Sequence, residues 1–401
     1  MKKAAFFFGS GVSIPSGLPR VDDITNAIFE DDWFFTSCKR FAQGRNTNPA
    51  FVDNTTSKVI KFLGIVKSMA DEYIAKLPEW QNGSKSHYEH LFSLVEQAYL
   101  VSISHVANLA VVEFALRLQA ASKNITKGFR GSGGGDDEFT DLCETTCDFL
   151  HWVVHHHLSK NVSRLGLNVV PEVAKSVDQL DIITLNHDTL LEDELAHSGV
   201  GFEDGFSPNN KDGSSNEKGD LTPFNGWSGN NSVSVFKLHG SLNWQLFEFE
   251  NWDGEGARVR QYAKFSKDPD HCKDEHGNLV TPVEWKSAFL SGTIVKERQY
   301  IKPFWSELQN EFNQRIKDHQ FIVFCGYGFQ DPGINIKINQ WLHDLGPKKQ
   351  MVILTPDSPS KFLEKKPYWM KQAFDNSQIQ FVEKYLQKCV ARELTEYFTQ
   401  P

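Results

Sequence analysis

Four short stretches of the chain put residues that bind or activate ligands directly after apolar runs. His239 follows the run SVSVFKL, Asn186 and Asp188 follow LDIITL, and pairs of glycines follow AAFFF and QFIVFC. An imidazole can take up a proton near neutral pH. Carboxamide and carboxylate groups can orient a substrate or stabilise positive charge. These residue types fit acid–base chemistry on a bound ligand, provided that the fold brings the four stretches together.

The apolar runs read as strands of one sheet. Five short runs and a weaker sixth are closed by turn residues, and helical patterns follow most of them, for example at 189–197 and 332–345. The runs cover residues 4–9, 180–186, 232–240, 320–328, 350–356 and 378–385. Alternating strands and helices predict an α/β fold, a Rossmann-like doubly wound and mostly parallel sheet. Ligands bind beyond the carboxyl ends of such strands, which is where the four stretches lie.

A large helical insertion is predicted between the first two strands. Residues 35–178 contain long helical patterns at 87–121 and 137–160. We therefore predict one domain over 1–401, with its sheet drawn from about 1–34 and 179–401. The glycine-rich stretch 130–137 is interpreted as a flexible connector, and 208–220 as a polar loop beside the binding edge.

Composition limits the classes of function. The chain has 401 residues, a formal net charge of −9 and scattered lysines and arginines, which argues against direct nucleic-acid binding by this chain alone. The longest apolar runs are too short to cross a bilayer. We expect a cytoplasmic protein without membrane association.

Two groups of cysteines and histidines raise the question of a metal. Cys143 and Cys147 precede four histidines at 151 and 155–157, and His271, Cys272 and His276 share a polar loop. The chain has no CxxC pair, so buried thiols and solvated histidines explain these groups better than zinc does. We predict no metal.

Each motif also has a simpler interpretation. A helix starting soon after Gly9 and Gly11 would turn its free amides towards a phosphate, but Ile14 stands where a dinucleotide fingerprint has a further glycine, and GxG alone is weak. Asn186 and Asp188 suit turn and capping duty. Four strands of one sheet ending in such clusters nevertheless favour a nucleotide site, with Asn186 and His239 at an exposed cleft.

The combination GSGVSIPSGLP (9–19), TLNHD (184–188), LHGS (238–241) and GYGFQDP (326–332) resembles the sirtuin (Sir2) superfamily. The likeness is greatest to its SIR2-like branch in bacterial antiphage defence proteins. It covers residues 4–20 and about 180–356. The resemblance implies NAD as the substrate and cleavage of the bond between nicotinamide and ribose.

The resemblance also implies roles for individual residues. Asn186 would hold the ribose and position the attacking water, Asp188 would steady positive charge or orient Asn186, and His239 would act as general base. The residues implied in binding NAD are Gly9, Ser10, Gly11 and Ser13, whose amides would cradle the pyrophosphate; Gly326, the Tyr327 backbone and Gly328, which would cover the adenosine end; and Gly17 and Asp331.

Departures from the family pattern affect the substrate. Protein deacylases of this superfamily carry a four-cysteine zinc ribbon, which this chain cannot supply, and the run from Pro19 to Asp22 lacks their aromatic residue. Water then becomes the acceptor, and the implied activity is an NAD+ glycohydrolase. An NAD-dependent deacylase or ADP-ribosyltransferase, and a non-catalytic sensor of NAD or ADP-ribose, remain as alternatives.

An unrestrained hydrolase of NAD would kill its host, so we expect a control mechanism. The chain shows no second sensing domain, which suggests a homo-oligomer or a partner subunit. The one-domain layout resembles that of Sir2 subunits that work beside a HerA-type ATPase, and the resemblance makes such an ATPase the partner that we expect. Others pair with short Argonaute proteins.

Overall fold

The protein is described by a computed structural model. It covers residues 2–36, 40–44, 54–76, 85–106, 108–131, 137–160, 162–206, 220–229, 231–250, 258–274, 276–284, 286–292, 295–344 and 349–398. Most of the predicted connector at 130–137 and of the predicted polar loop at 208–220 lies outside the described residues.

The described residues form twelve strands and thirteen α-helices. The strands are β1 (Lys3–Phe8), β2 (Trp33–Phe35), β3 (Phe41–Gln43), β4 (Gln179–Thr184), β5 (Leu221–Pro223), β6 (Val233–Lys237), β7 (Trp244–Glu250), β8 (Arg258–Phe265), β9 (Thr281–Pro282), β10 (Phe321–Cys325), β11 (Gln350–Leu354) and β12 (Ile379–Val382). The helices are α1 (Val21–Glu30), α2 (Thr55–Ile74), α3 (Tyr88–Ser102), α4 (Leu109–Thr126), α5 (Glu138–Leu158), α6 (Val170–Ala174), α7 (Leu190–His197), α8 (Val295–Gln299), α9 (Pro303–Lys317), α10 (Pro332–Leu342), α11 (Pro359–Leu363), α12 (Tyr368–Asp375) and α13 (Ala391–Tyr397).

The main sheet has six strands in the order β12-β11-β10-β1-β4-β6, and all of its pairs are parallel. Counted along the chain, this is the 3-2-1-4-5-6 order of the Rossmann fold read from the other edge. The predicted fold class and the six predicted strands are therefore confirmed. The direction of strand order reverses between β1 and β10, which is the position where such sheets bind ligands.

Both faces of this sheet are covered by helices, because its strands present apolar side chains on both sides. One face packs Phe6, Phe8 and their neighbours against α6, α7 and α13. The other packs Phe7, Phe324 and their neighbours against α9, α10 and α12. The alternation within AAFFF thus divides one short strand between two cores.

The chain divides into two compact units. The first comprises residues 1–18, 161–290 and 299–401 and contains the main sheet. The second comprises 19–160 and 291–298 and is mainly helical, with α5 buried through Phe149, Leu150 and Val153. The domain boundaries suggested by the sequence stay a prediction.

One predicted helix is divided in two. The pattern at 87–121 forms α3 and α4, separated by a turn in which Ser104 adopts a φ of 59°. A right-handed helix cannot continue through that left-handed conformation. The apolar periodicity of the two helices hides the break in the sequence.

A small antiparallel sheet, in the order β5-β8-β7-β9, also belongs to the first unit and was not predicted. Trp244 and Phe247 of β7 are fully buried. In the described part of the chain, no helix is long and apolar enough to cross a bilayer.

Candidate active site at the carboxyl edge of the main sheet

The four stretches singled out in the sequence meet at one edge of the main sheet. The last register pairs join Phe8 of β1 to Thr184 of β4 and to Cys325 of β10, and Thr184 to Lys237 of β6. Four strands therefore end level with one another. The loops that begin at residues 9, 185, 238 and 326 start from the same edge.

Three glycines let the loops after β1 and β10 touch backbone to backbone. A Cβ on Gly9 would lie 2.6 Å from the Gly326 carbonyl oxygen, and one on Gly11 would lie 2.6 Å from the Gly326 Cα. Gly326 has a φ of 64°, and its own Cβ would lie 2.5 Å from the Val12 nitrogen. Real Cβ atoms do not approach backbone atoms so closely, so these glycines are needed for packing.

The backbone amides of the loop after β1 are largely used inside the protein. Gly9 donates to the Cys325 carbonyl, Gly11 donates to the Gly326 carbonyl, and Ser13 donates to the Ser10 carbonyl, at 3.0 Å each. The pyrophosphate role predicted for the amides of Gly9, Gly11 and Ser13 therefore lacks free donors in this structure. Ser10, which is exposed, keeps that prediction.

The expected helix N-terminus does not follow this loop. Residues 10–12 and 14–16 form two short 3-10 turns, and the first α-helix begins only at Val21. Gly17 closes the second turn with a φ of 102°. This left-handed conformation is sufficient to explain the glycine at position 17, and no contact with a ligand is needed to explain it.

Tyr327 and Gly328 belong to a well-fixed loop after β10. The Tyr327 side chain is buried and its hydroxyl donates to Asn335 Oδ1 at 3.0 Å, so only its backbone is available to a ligand. Gly326 and Gly328 are exposed, and the Gly328 carbonyl accepts from Lys366 Nζ at 2.7 Å.

The carboxamide of Asn186 has a fixed orientation. Its Nδ2 donates to the Gly9 carbonyl at 3.2 Å and to Ser13 Oγ at 3.1 Å. Ser13 Oγ in turn donates to Asp188 Oδ2 at 3.0 Å. Because both amide hydrogens are taken up, Asn186 offers its remaining polar atom, the acceptor Oδ1, to a ligand. Asp188 thus orients Asn186 through the hydroxyl of Ser13.

Asp188 lies in a buried group of charges. Its Oδ1 accepts from the Leu190 amide at 3.1 Å, at the start of α7. Lys237 donates to the Asp188 carbonyl and, at 2.8 Å, to Glu192 Oε1. Burial raises the pKa of the Asp188 carboxyl; the Lys237 charge opposes this rise and the Glu192 charge adds to it.

This raised pKa predicts the pH dependence of an Asp188→Asn variant. As pH rises above the ordinary pKa of an aspartate, the unfolded chain releases this proton before the folded protein does, so ionisation of Asp188 reduces stability. Asparagine has no such cost. We expect the melting temperature of the variant minus that of the wild type to be larger at about pH 7 than at about pH 4, which is close to the ordinary pKa of an aspartate.

Asp220→Asn is the control for this prediction. Its hydrogen bond from Lys267 holds the pKa of Asp220 below its usual range, so its relative stability should change with the opposite sign. The prediction would be contradicted if the melting temperatures of both variants, each relative to wild type, changed in the same direction between acid and neutral pH.

His239 lies two residues beyond the end of β6, as Asn186 does beyond β4, and β4 and β6 are neighbours. Its Nε2 is 3.0 Å from the Tyr300 hydroxyl and 3.3 Å from Asp331 Oδ2. Gly240, with a φ of 80°, lets the chain turn under the Ala288 carbonyl. His239 is only 3% exposed, so the expectation that its side chain lies open to solvent is wrong. The reason is the cover provided by Tyr300 and the loop that contains Phe289 and Leu290.

Three features of the site were missed in the sequence. The role of the Ser13 side chain was not predicted, although the motif was. Lys237 had a visible signal, because a lysine inside an otherwise apolar strand requires a buried partner. Tyr300 had none, since it lies in a segment without a recognisable motif.

The cysteine and histidine groups were also located. Cys143 and Cys272 are buried, and Cys272 Sγ lies near the carbonyls of Lys267 and Asp268. Burial lowers the pKa of His155 to about 4. Among the described residues, no group of three or more histidine, cysteine or acidic side chains could hold a metal ion.

Comparison with known proteins identifies the class of domain. Residues 181–377 match the family model described as a SIR2-like domain. No curated protein sequence matches the chain. The matched stretch is therefore similar in sequence to SIR2-like domains, and it includes Asn186, Asp188, His239 and Asp331 but not β1.

Solved structures were compared as well. One solved structure, described as "Structural Basis for the Mechanism and Regulation of Sir2 Enzymes", is 9% identical to this chain. The alignment covers 99% of this chain and 92% of that chain, and the TM-score is 0.35. A second structure, described as "Crystal structure of a Sir2 homolog-NAD complex", is 13% identical. The alignment covers 99% of this chain and 88% of that chain, and the TM-score is 0.32. Scores of this size do not carry the fold assignment, which rests on the strand order described above.

Proposed function

We propose that the protein is an NAD+ glycohydrolase, which cleaves NAD+ to nicotinamide and ADP-ribose with water as the acceptor. Two findings support the proposal. Residues 181–377 are similar in sequence to SIR2-like domains, a type of domain that typically uses NAD. Its sheet also has the Rossmann strand order, with polar side chains gathered beyond the strand ends at the reversal point.

The fixed carboxamide of Asn186 carries the proposal. Hydrogen bonds to Gly9 and Ser13 use both of its amide hydrogens, which leaves Oδ1 as an acceptor for a ribose hydroxyl or for the attacking water. A side chain needed only to terminate a strand does not require a chain of hydrogen bonds that ends on a buried carboxylate.

The neighbouring groups supply the remaining chemistry. Loss of nicotinamide leaves positive charge on the ribose, which an oriented amide oxygen stabilises. The Asp188 carboxylate maintains that orientation through Ser13. His239 takes up the proton released by the attacking water, and Asp331, 3.3 Å away, stabilises the resulting imidazolium.

The test is nicotinamide release from NAD+ by the purified chain and its variants. We expect Asn186→Ala and His239→Ala to lower kcat by about 10²- to 10³-fold, the usual loss when one oriented polar group is removed from an active site. Asn376→Ala, which removes an exposed amide at the end of α12, is the control and should keep full activity. Wild-type rates in both site variants would refute the proposal.

The same incubation distinguishes the alternatives. Transfer of label from NAD+ to a protein, or loss of an acyl group from lysine, would favour a transferase or deacylase. Tight binding of NAD+ or ADP-ribose without nicotinamide release, under every condition tried, would favour a sensor.

We further propose that the activity serves antiphage defence in the cytoplasm by depleting NAD, and that a homo-oligomer or a partner subunit restrains it. A HerA-type ATPase is the partner proposed first, with a short Argonaute as the alternative. The nicotinamide assay should be run with the chain alone and with each candidate partner. If nicotinamide is released at the same rate with and without each candidate partner, the proposal that a partner restrains the activity is wrong.

A further inference from the structure

The Nε2 atom of His239 has two polar neighbours of different character. The Tyr300 hydroxyl lies 3.0 Å away, and Asp331 Oδ2 lies 3.3 Å away. A hydroxyl can donate to this nitrogen when the nitrogen carries a lone pair. A carboxylate can only accept from it when it carries a hydrogen. Asp331 therefore favours a hydrogen on Nε2, whereas the Tyr300 hydroxyl, which can donate as well as accept, allows this nitrogen to keep a lone pair.

Both neighbours are held in place. Asp331 Oδ1 accepts from the Ile334 amide at 3.0 Å, which fixes the carboxylate at the first turn of α10. The Lys337 ammonium lies 5.9 Å from the centre of the Tyr300 ring, and Nζ also donates to Gln309. His239, Tyr300 and Asp331 are thus brought together from three separate parts of the chain.

Burial separates the imidazole from solvent. His239 is 3% exposed, whereas Tyr300 is half-buried. The Tyr300 hydroxyl contacts Nε2 and belongs to the more exposed of the two residues, so it offers a route for a proton between a ligand and the imidazole. A base that is covered in this way works only if the covering group can pass the proton on.

We propose that Tyr300 is a proton-relay residue, whose hydroxyl keeps the lone pair of His239 on Nε2 and passes to it the proton of the attacking water. This inference rests on the proposed hydrolysis of NAD+. It adds a residue that belongs to none of the motifs in the sequence.

The step balances. As the oxygen of water bonds to the anomeric carbon and the bond to nicotinamide breaks, the proton of water moves to the Tyr300 oxygen. The original phenolic proton moves to His239 Nε2 at the same time. Tyr300 is neutral before and after, and His239 becomes an imidazolium whose new N–H faces Asp331. The proton returns to solvent by the reverse route.

The kinetic test uses Tyr300→Phe, which removes only the hydroxyl. We expect kcat for nicotinamide release to fall by about 10²-fold with an unchanged KM for NAD+, since a lost proton transfer affects the chemical step rather than binding. Tyr397→Phe is the matched control, because it removes another half-buried phenol, which packs in α13 against the separate core that contains Phe6 and Phe8. An unchanged kcat in Tyr300→Phe would overturn the inference, while loss of activity in Asn186→Ala would still uphold the hydrolase.

A second measurement does not depend on turnover. Nitrogen NMR of the protein labelled in its histidine rings reports which ring nitrogen of neutral His239 carries the hydrogen, with His239→Ala used for assignment. We expect the hydrogen on Nδ1 in the wild type and in Tyr397→Phe, and a shift towards Nε2, facing Asp331, in Tyr300→Phe. The same tautomer in Tyr300→Phe and wild type would overturn the inference even if no variant hydrolyses NAD+.

Discussion

Replacing Lys237 by methionine is expected to lower the free energy of unfolding by about 3–5 kcal/mol, the typical loss when one partner of a buried ion pair is removed. Lys237 is 1% exposed and donates to Glu192 Oε1 at 2.8 Å and to the Asp188 carbonyl. Its removal leaves the buried Glu192 carboxylate without this cation. Urea unfolding of the purified variants measures the loss.

The reason for so large an effect is desolvation. Glu192 Oε2 has no hydrogen-bond partner among the described residues. The ion pair between Oε1 and Lys237 therefore offsets most of the free-energy cost of removing the Glu192 carboxylate from water. A double variant, Lys237→Met with Glu192→Leu, removes both charges and should recover most of the stability. It should not recover nicotinamide release, because the loop that carries Asp188 loses its anchor.

An exposed ion pair provides the control for Lys237. Lys384 and Glu393 are 3.0 Å apart and about half exposed, so Lys384→Met should change stability little. If Lys237→Met unfolds at the same urea concentration as Lys384→Met, the buried pair does not stabilise the fold as inferred.

Replacing Gly326 by alanine is expected to cost about 2–5 kcal/mol, the sum of the strain of a left-handed alanine and of overpacking. Its φ is 64°, and a Cβ would lie 2.5 Å from the Val12 nitrogen and 2.7 Å from the Gly11 carbonyl carbon. Both atoms belong to backbone, which cannot move aside as a flexible side chain can. The loops after β1 and β10 must therefore separate.

Activity should fall together with stability in Gly326→Ala. Asn186 is anchored to the Gly9 carbonyl, and Gly9 itself donates to Cys325 at the end of β10. Separation of the two loops moves the anchor of the carboxamide. Thermal unfolding and nicotinamide release of the same preparation measure both losses.

Two other glycines isolate the causes. Gly199 has a φ of 65° but no atom within 4 Å of a built Cβ, so Gly199→Ala reports the conformational cost alone. Gly328 has an ordinary φ, and its nearest neighbour would be 3.8 Å away, so Gly328→Ala should be nearly neutral in stability. Equal destabilisation in Gly199→Ala and Gly326→Ala would show that the contact between the loops is unimportant.

The main sheet could be predicted because its strands are buried on both faces. Runs such as AAFFF and QFIVFC are apolar without alternation, bounded by glycine or asparagine, and they recur with helical patterns between them. The small antiparallel sheet could not. The described side chains of β7 are buried or half-buried without regular alternation, those of β8 are mostly exposed or half-buried, and the charged residues Glu248 and Arg260 pair between the two strands.

The gathering of the site residues could also be predicted, since strand ends in a parallel sheet share an edge. Their hydrogen bonds could not. Whether the Gly11 amide faces a phosphate or the Gly326 carbonyl depends on the separation of two loops that are far apart in sequence. The burial of His239 likewise depends on Tyr300, which reaches it from a segment beyond the second sheet.

The position of β1 in the sheet has a consequence for synthesis of the chain. This strand lies in the interior of the sheet, yet its hydrogen-bonding partners are residues 179–184 and 323–325. A growing polypeptide therefore carries five consecutive apolar residues, Ala4 to Phe8, that have no partner strand until residues 179–184 are made and lack the second until residues 323–325 follow. Pairings of such long sequence separation form slowly. The nascent protein must keep this segment from aggregating, and binding by a chaperone should raise the yield of folded protein.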